Sequence, residues 1–179
     1  MDLIDTHQHL IYQNEATYGW TKDIPALQSD FTVEDYHDLT KEYNIMGTLF
    51  MECAVDGPGY KKESNFINSI MQKSESGIKG LILSIRPEDD SEFDKWLEES
   101  KSLGVVGYRR VLHTEPNELS QQKNFRENII KIGKSGKPFD LCFREDQLKI
   151  ALELSKSCDE MNLILNHCGV PAIASGKMD

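Results

Sequence analysis

The 179-residue sequence contains no run approaching the ~20 consecutive apolar residues that a membrane-spanning helix needs, so no membrane association is expected. Its first ten residues, MDLIDTHQHL, lack the basic segment and extended apolar core of a secretion signal, and the expected location is the cytoplasm. Cationic charge is scarce: 20 Lys and Arg stand against 30 Asp and Glu, a formal net charge of -10. Such a deficit opposes binding to phosphate backbones, which makes nucleic acid an unexpected partner. The four cysteines, Cys53, Cys142, Cys158 and Cys168, include no C-x-x-C pair and read as buried reduced thiols rather than disulfides or metal ligands. Low-complexity stretches and linkers are missing too, and one domain over residues 1–179 is the expectation. No Ser-His-Asp grouping, nucleophile elbow, phosphate loop or dinucleotide glycine fingerprint occurs, which leaves metal-assisted or arginine-assisted hydrolysis among the common chemistries.

What is present is an alternation. Short apolar runs at Leu3 to Thr6, Met46 to Cys53, Gly80 to Ile85, Val105 to Val111, Phe139 to Phe143 and Leu163 to Asn166 read as six strands. Between them lie helical faces: Val33, Tyr36, Leu39 and Tyr43 behind a Thr32 cap; Phe66, Ile67, Ile70 and Met71; Phe93, Trp96, Leu97 and Leu103; Phe125, Ile129 and Ile132; and Leu148, Ala151, Leu152 and Ser155. Gly77, Gly104 and Gly136 each fall where a helix stops and a strand follows, the left-handed position that glycine fills without a Cβ penalty. Repeated βα units with a parallel sheet follow. Six units fit either an open doubly wound sheet or a barrel cut short, since a barrel takes roughly 250 residues. The longest irregular stretch, Ile11 to Phe31, is long enough to be a functional loop.

Chemistry concentrates at the ends of these strands. In Asp5-Thr6-His7-Gln8-His9, residues at i and i+2 share a face, so His7 and His9 present two imidazoles side by side, half of a tetrahedral site for a divalent metal. Asp5 has the same parity and is placed to orient one of them. His167 follows the sixth strand directly, in Asn166-His167-Cys168-Gly169. Arg109 and Arg144 terminate the fourth and fifth strands, where a guanidinium suits a carboxylate or a developing oxyanion. Arg110 points the other way, His37 reads as a surface residue, and His113 is a weaker candidate in a βα loop.

Taken in order, Asp5-Thr6-His7-Gln8-His9, Gly107-Tyr108-Arg109-Arg110-Val111-Leu112 with Glu115-Pro116, Gly136-Lys137-Pro138-Phe139-Asp140-Leu141 to Arg144 with Gln147-Leu148, and Asn166-His167-Cys168-Gly169-Val170-Pro171 resemble the amidohydrolase superfamily. The likeness is to its amidohydrolase-2 branch of sugar-lactone and pyrone-dicarboxylate lactonases. The resemblance implies a TIM-barrel (β/α)8 fold of which about six of the eight units are present, and hydrolysis of a cyclic ester at its mouth. It implies that His7, His9 and His167 gather at a metal or substrate site, Zn2+ first among metals although some lactonases of the branch work without one. Arg109 and Arg144 would bind the substrate's carboxylate or hydroxyl groups. The branch's general base, an aspartate after the eighth strand, has no counterpart among these residues, and the chain is expected to stop short of a closed barrel, with open edges suited to oligomer formation. Amide hydrolysis or decarboxylation are the alternatives within the superfamily. A catalytically incompetent partial barrel or an open α/β binding module is the alternative outside it.

Overall fold

The computed structural model describes residues 1–158 and 160–176. Six strands alternate with five helices: β1 (Asp2–Gln8), α1 (Val33–Thr40), β2 (Asn44–Met51), α2 (Tyr60–Met71), β3 (Ile78–Ser84), α3 (Phe93–Glu99), β4 (Val105–Val111), α4 (Lys123–Lys134), β5 (Phe139–Cys142), α5 (Leu148–Ser157) and β6 (Leu163–Leu165). Strands adjacent in sequence are neighbours in the sheet, and the pairs β1/β2, β2/β3, β4/β5 and β5/β6 are parallel, as helical crossovers require. All six expected strands are present. Val105–Val111 matches residue for residue, while β1 extends two residues further than expected and takes in His7 and Gln8.

The chain divides into two compact units. The first, Met1–Ser84 with Ser100–Val106, holds β1, β2, β3 and the start of β4. Its core is built from fully buried Leu10, Phe50, Met51, Ile67, Leu81 and Leu83. Here α1 opens with a capping box, Thr32 Oγ1 accepting from Asp35 N (3.2 Å) while Asp35 Oδ2 accepts from Thr32 N (2.8 Å). The expected apolar face of α1 is cut short. Val33 and Tyr36 are buried, but Leu39 is exposed and Tyr43 lies in the turn after the helix, its N–H bonded to Thr40 O.

The second unit, Ile85–Glu99 and the described residues from Gly107 onward, holds the rest of β4 with β5 and β6. Phe125, Ile129 and Ile132 of α4 are fully buried, as their spacing requires, together with Phe93, Trp96, Tyr108, Phe139 and Phe143. On α5 the buried residues are Ala151 and Leu154, whereas Leu148 and Leu152 are exposed, so the apolar face is rotated from the expected one. Gly77, Gly104 and Gly136 all have positive φ (73°, 66° and 77°), as their place between helix and strand predicts. Cys53, Cys142 and Cys158 are buried thiols; Cys168, also expected to be buried, is exposed because it sits in the turn after β6. No helix among the described residues is long and apolar enough to cross a membrane.

Candidate active site

In the first unit the site starts from an irregularity. β1 pairs Asp5 with Thr48 and Gln8 with Phe50, so three steps on β1 face two on β2. Such a bulge takes a backbone group out of the ladder and re-aims side chains. The His7 N–H is received by Asp5 Oδ1 (2.9 Å), while the Tyr36 hydroxyl donates to Asp5 Oδ2 (2.9 Å). Burial, then the bond to Asp5, pushes the Tyr36 phenol up to about 12, so it stays protonated as that donor. Asp5 therefore braces the backbone of His7.

The His7 and His9 rings come together edge to face, centroids 4.9 Å apart and planes at 81°. Nδ1 of His9 lies 2.9 Å from the carbonyl oxygen of Met51 at the end of β2 and 3.5 Å from Cys53 Sγ. A carbonyl only accepts, so His9 carries its proton on Nδ1, and Nε2 is the unprotonated nitrogen of the neutral ring. Between the two, Gln8 is buried and accepts from Thr48 Oγ1 (2.9 Å). Just past β2, Glu52 is fully buried with Oε2 accepting from Ala54 N (2.8 Å). Sequence reasoning passed over Glu52, although a lone acidic residue closing an apolar strand is the same signal that drew attention to Arg109.

The second unit assembles basic groups at the C-terminal ends of β4, β5 and β6. Arg109 is 3% exposed. Arg110 is committed elsewhere: its guanidinium pairs with Glu88 Oε1 (2.7 Å) and Glu115 Oε1 (3.1 Å), consistent with its opposite parity. Arg144 is fixed by its neighbours, Nε and Nη2 donating to the two oxygens of Asp146 (3.0 and 3.3 Å) and Nη1 to the carbonyl of His113. Its own N–H donates to the buried Gln147 (3.0 Å). His113 emerges as a member of this group: Nδ1 lies 3.2 Å from Cys142 Sγ, and burial, then Arg144, Arg109 and His167, hold its pKa below the usual histidine value. Its only sequence signal was its place just after a strand.

His167 follows β6 in a turn whose backbone is left-handed at His167, Cys168 and Val170 (φ 52°, 52° and 47°). Non-glycine residues rarely hold this conformation, and at Val170 the branched side chain adds to the cost. The turn is anchored to β5 by Asn166 Nδ2 donating to Asp140 Oδ2 (2.7 Å). The imidazole of His167 is exposed, yet partial burial and the charge of Arg109 lower its pKa. Two guanidiniums thus share one electrostatic environment with two imidazoles that are neutral at pH 7, an arrangement suited to carboxylates and oxyanions.

Among the described residues no three His, Cys, Asp or Glu side chains are grouped as a metal-binding set. The His7–His9 pair offers two nitrogen donors, half of what a tetrahedral ion takes.

A curated relative, the uncharacterized protein y4mH of Sinorhizobium fredii, is 22% identical over 187 residues, covering 94% of this chain and 62% of its own length. The fold is similar to that of an amidohydrolase from Burkholderia multivorans solved with HEPES bound (TM-score 0.83, 19% identity, 98% of this chain and 60% of that one), a protein also solved with zinc bound. It is similar as well to a probable 2-pyrone-4,6-dicarboxylic acid hydrolase from Acinetobacter baumannii with citric acid bound (TM-score 0.71, 16% identity, 94% of this chain and 59% of that one). The chain therefore spans about 60% of the length of these relatives and presents six βα units of an amidohydrolase TIM-barrel fold. With the amidohydrolase family model matching residues 4–179, the chain belongs to the amidohydrolase-2 family.

Proposed function

We propose that this chain is the part of a lactone hydrolase that binds the substrate and polarises its ester, the substrate being a cyclic ester of a sugar acid or a related carboxylic acid. The observation that carries the reading is the gathering of Arg109 and Arg144 around two neutral imidazoles, His113 and His167, at the ends of strands β4 to β6. In barrels of this kind chemistry is built at the C-terminal ends of the strands, which is also where β1 presents His7 and His9. Arg109 and Arg144 hold the carboxylate of the substrate. The roles that the family resemblance suggests are orientation of the attacking water and polarisation of the carbonyl, for His7 and His9 of the first unit and for His167 of the second. Water adds to the carbonyl carbon, the ring C–O bond breaks, and a hydroxy acid is released. The base that takes the proton of the water corresponds in the family to an aspartate after an eighth strand, beyond the six units described. The His7–His9 pair would supply two nitrogen donors to a divalent ion, and the chemistry such an ion would add is polarisation of the ester carbonyl. The citric acid held by the Acinetobacter relative supports a site made for carboxylates.

The test is a panel assay on the full-length protein with aldono-1,4- and 1,5-lactones, 2-pyrone-4,6-dicarboxylate, acyl amides and aromatic carboxylates. Hydrolysis confined to the lactones supports the reading. Turnover of amides, release of CO2 from the carboxylates, or no turnover with retained binding each replace it with one of the alternatives.

A further inference from the structure

The loop after β1 carries a tryptophan that the core does not use. Trp20 is 46% exposed, whereas the chain's other tryptophan, Trp96, is 2% exposed in the core. The side chains flanking Trp20 show that the loop is packed: Tyr18 and Thr21 are buried, and Leu10 and Ile11 lie beneath its start. Backbone bonds between Ile11 and Phe31 close its base (2.9 and 2.8 Å). Asp56, after β2, ties down the middle, its N–H donating to Thr17 O (3.0 Å) and its Oδ2 accepting from Gly19 N (3.1 Å). A Cβ at Gly19 would come within 2.5 Å of Asp56 Oδ2, so any larger residue there would displace that carboxylate. The indole itself donates Nε1–H to the carbonyl of Cys53 (2.8 Å), the residue whose thiol lies 3.5 Å from His9 Nδ1.

We propose that Trp20 is a specificity-determining residue: its exposed ring is the wall on which the ring of a cyclic substrate stacks, one residue away from His9. The inference rests on the lactone reading and names what that site selects, a ring rather than an open-chain acid. Its polar edge is already satisfied, so what the indole offers a ligand is its face. The negative face of the ring favours the C–H groups of a sugar lactone or an offset planar pyrone. Because the loop is held by five bonds, the wall stands in place before the substrate arrives and little ordering cost is added on binding. A tryptophan placed only for packing would be enclosed, as Trp96 is.

The experiment compares parent, Trp20→Phe and Trp20→Ala in the full-length protein, by calorimetric binding of citrate and 2-pyrone-4,6-dicarboxylate and by KM and kcat on the best lactone of the panel. Expected is an about tenfold weaker affinity for the pyrone in W20A with citrate affinity unchanged, near-parent behaviour in W20F, and a raised KM at similar kcat. Thermal unfolding of both variants separates loss of the wall from loss of the loop. Equal weakening for both ligands, no weakening, or absent binding of the pyrone to the parent overturns the proposal. Absent hydrolysis with ring binding that still depends on Trp20 overturns the lactone reading alone.

Discussion

The Nδ1 of His9 sits 2.9 Å from the carbonyl oxygen of Met51, so a backbone group at the end of one strand fixes the tautomer of a histidine at the end of the next. With the proton on Nδ1, the basic lone pair of the neutral ring lies on Nε2. His9→Ala in the full-length protein is expected to lower kcat/KM for the lactone by about 10²-fold, with His7→Ala similar. Unchanged hydrolysis in either variant would remove the pair from the mechanism.

Arg144 is oriented by Asp146 and by the His113 carbonyl together, which a lysine cannot reproduce. Arg144→Lys should raise KM for a carboxylate-bearing lactone by about tenfold or more while kcat moves little. A fall in kcat at constant KM would shift Arg144 from substrate binding to the chemical step.

His113 and His167 both have pKa values below the usual 6.5, through burial first and neighbouring arginine charge second. Below pH 6.5 the unfolded chain takes up protons at these residues while the folded protein still resists, so stability falls as pH drops through that window and is fully present above it. Histidine proton NMR should show both titrating below a peptide histidine, with His113 moving upward in Arg144→Ala. Titration at or above 6.5 would contradict the environment described.

Gly104 and Gly136 both hold left-handed backbone, but they differ in surroundings. A Cβ at Gly136 meets nothing within 4 Å, while one at Gly104 collides with the end of Met71. Gly136→Ala should cost about 1–2 kcal/mol from the backbone alone. Gly104→Ala should cost more, and adding Met71→Ala should recover part of the excess, which denaturant unfolding of the double variant measures.

Much of this was legible in the residues. Apolar runs marked all six strands, three of them preceded by Gly77, Gly104 or Gly136, and i, i+2 parity brought His7 and His9 together and set Arg109 apart from Arg110. What could not be read came from tertiary context. The bulge that sends Asp5 to the His7 backbone depends on the register with β2, which no local pattern contains. His113 joins Arg144 and Cys142 only because loops after different strands meet. Leu39 and Leu152 carry helical spacing yet face outward, since spacing marks a face without stating how far it is covered.

Of the four thiols in these 179 residues, Cys168 alone is exposed, and it directly follows His167. A maleimide dye at neutral pH will therefore mark this stretch of chain at one position, without mutagenesis. The turn after β6 thus comes with a native attachment point for a chromophore, from which occupancy beside that imidazole can be followed by light.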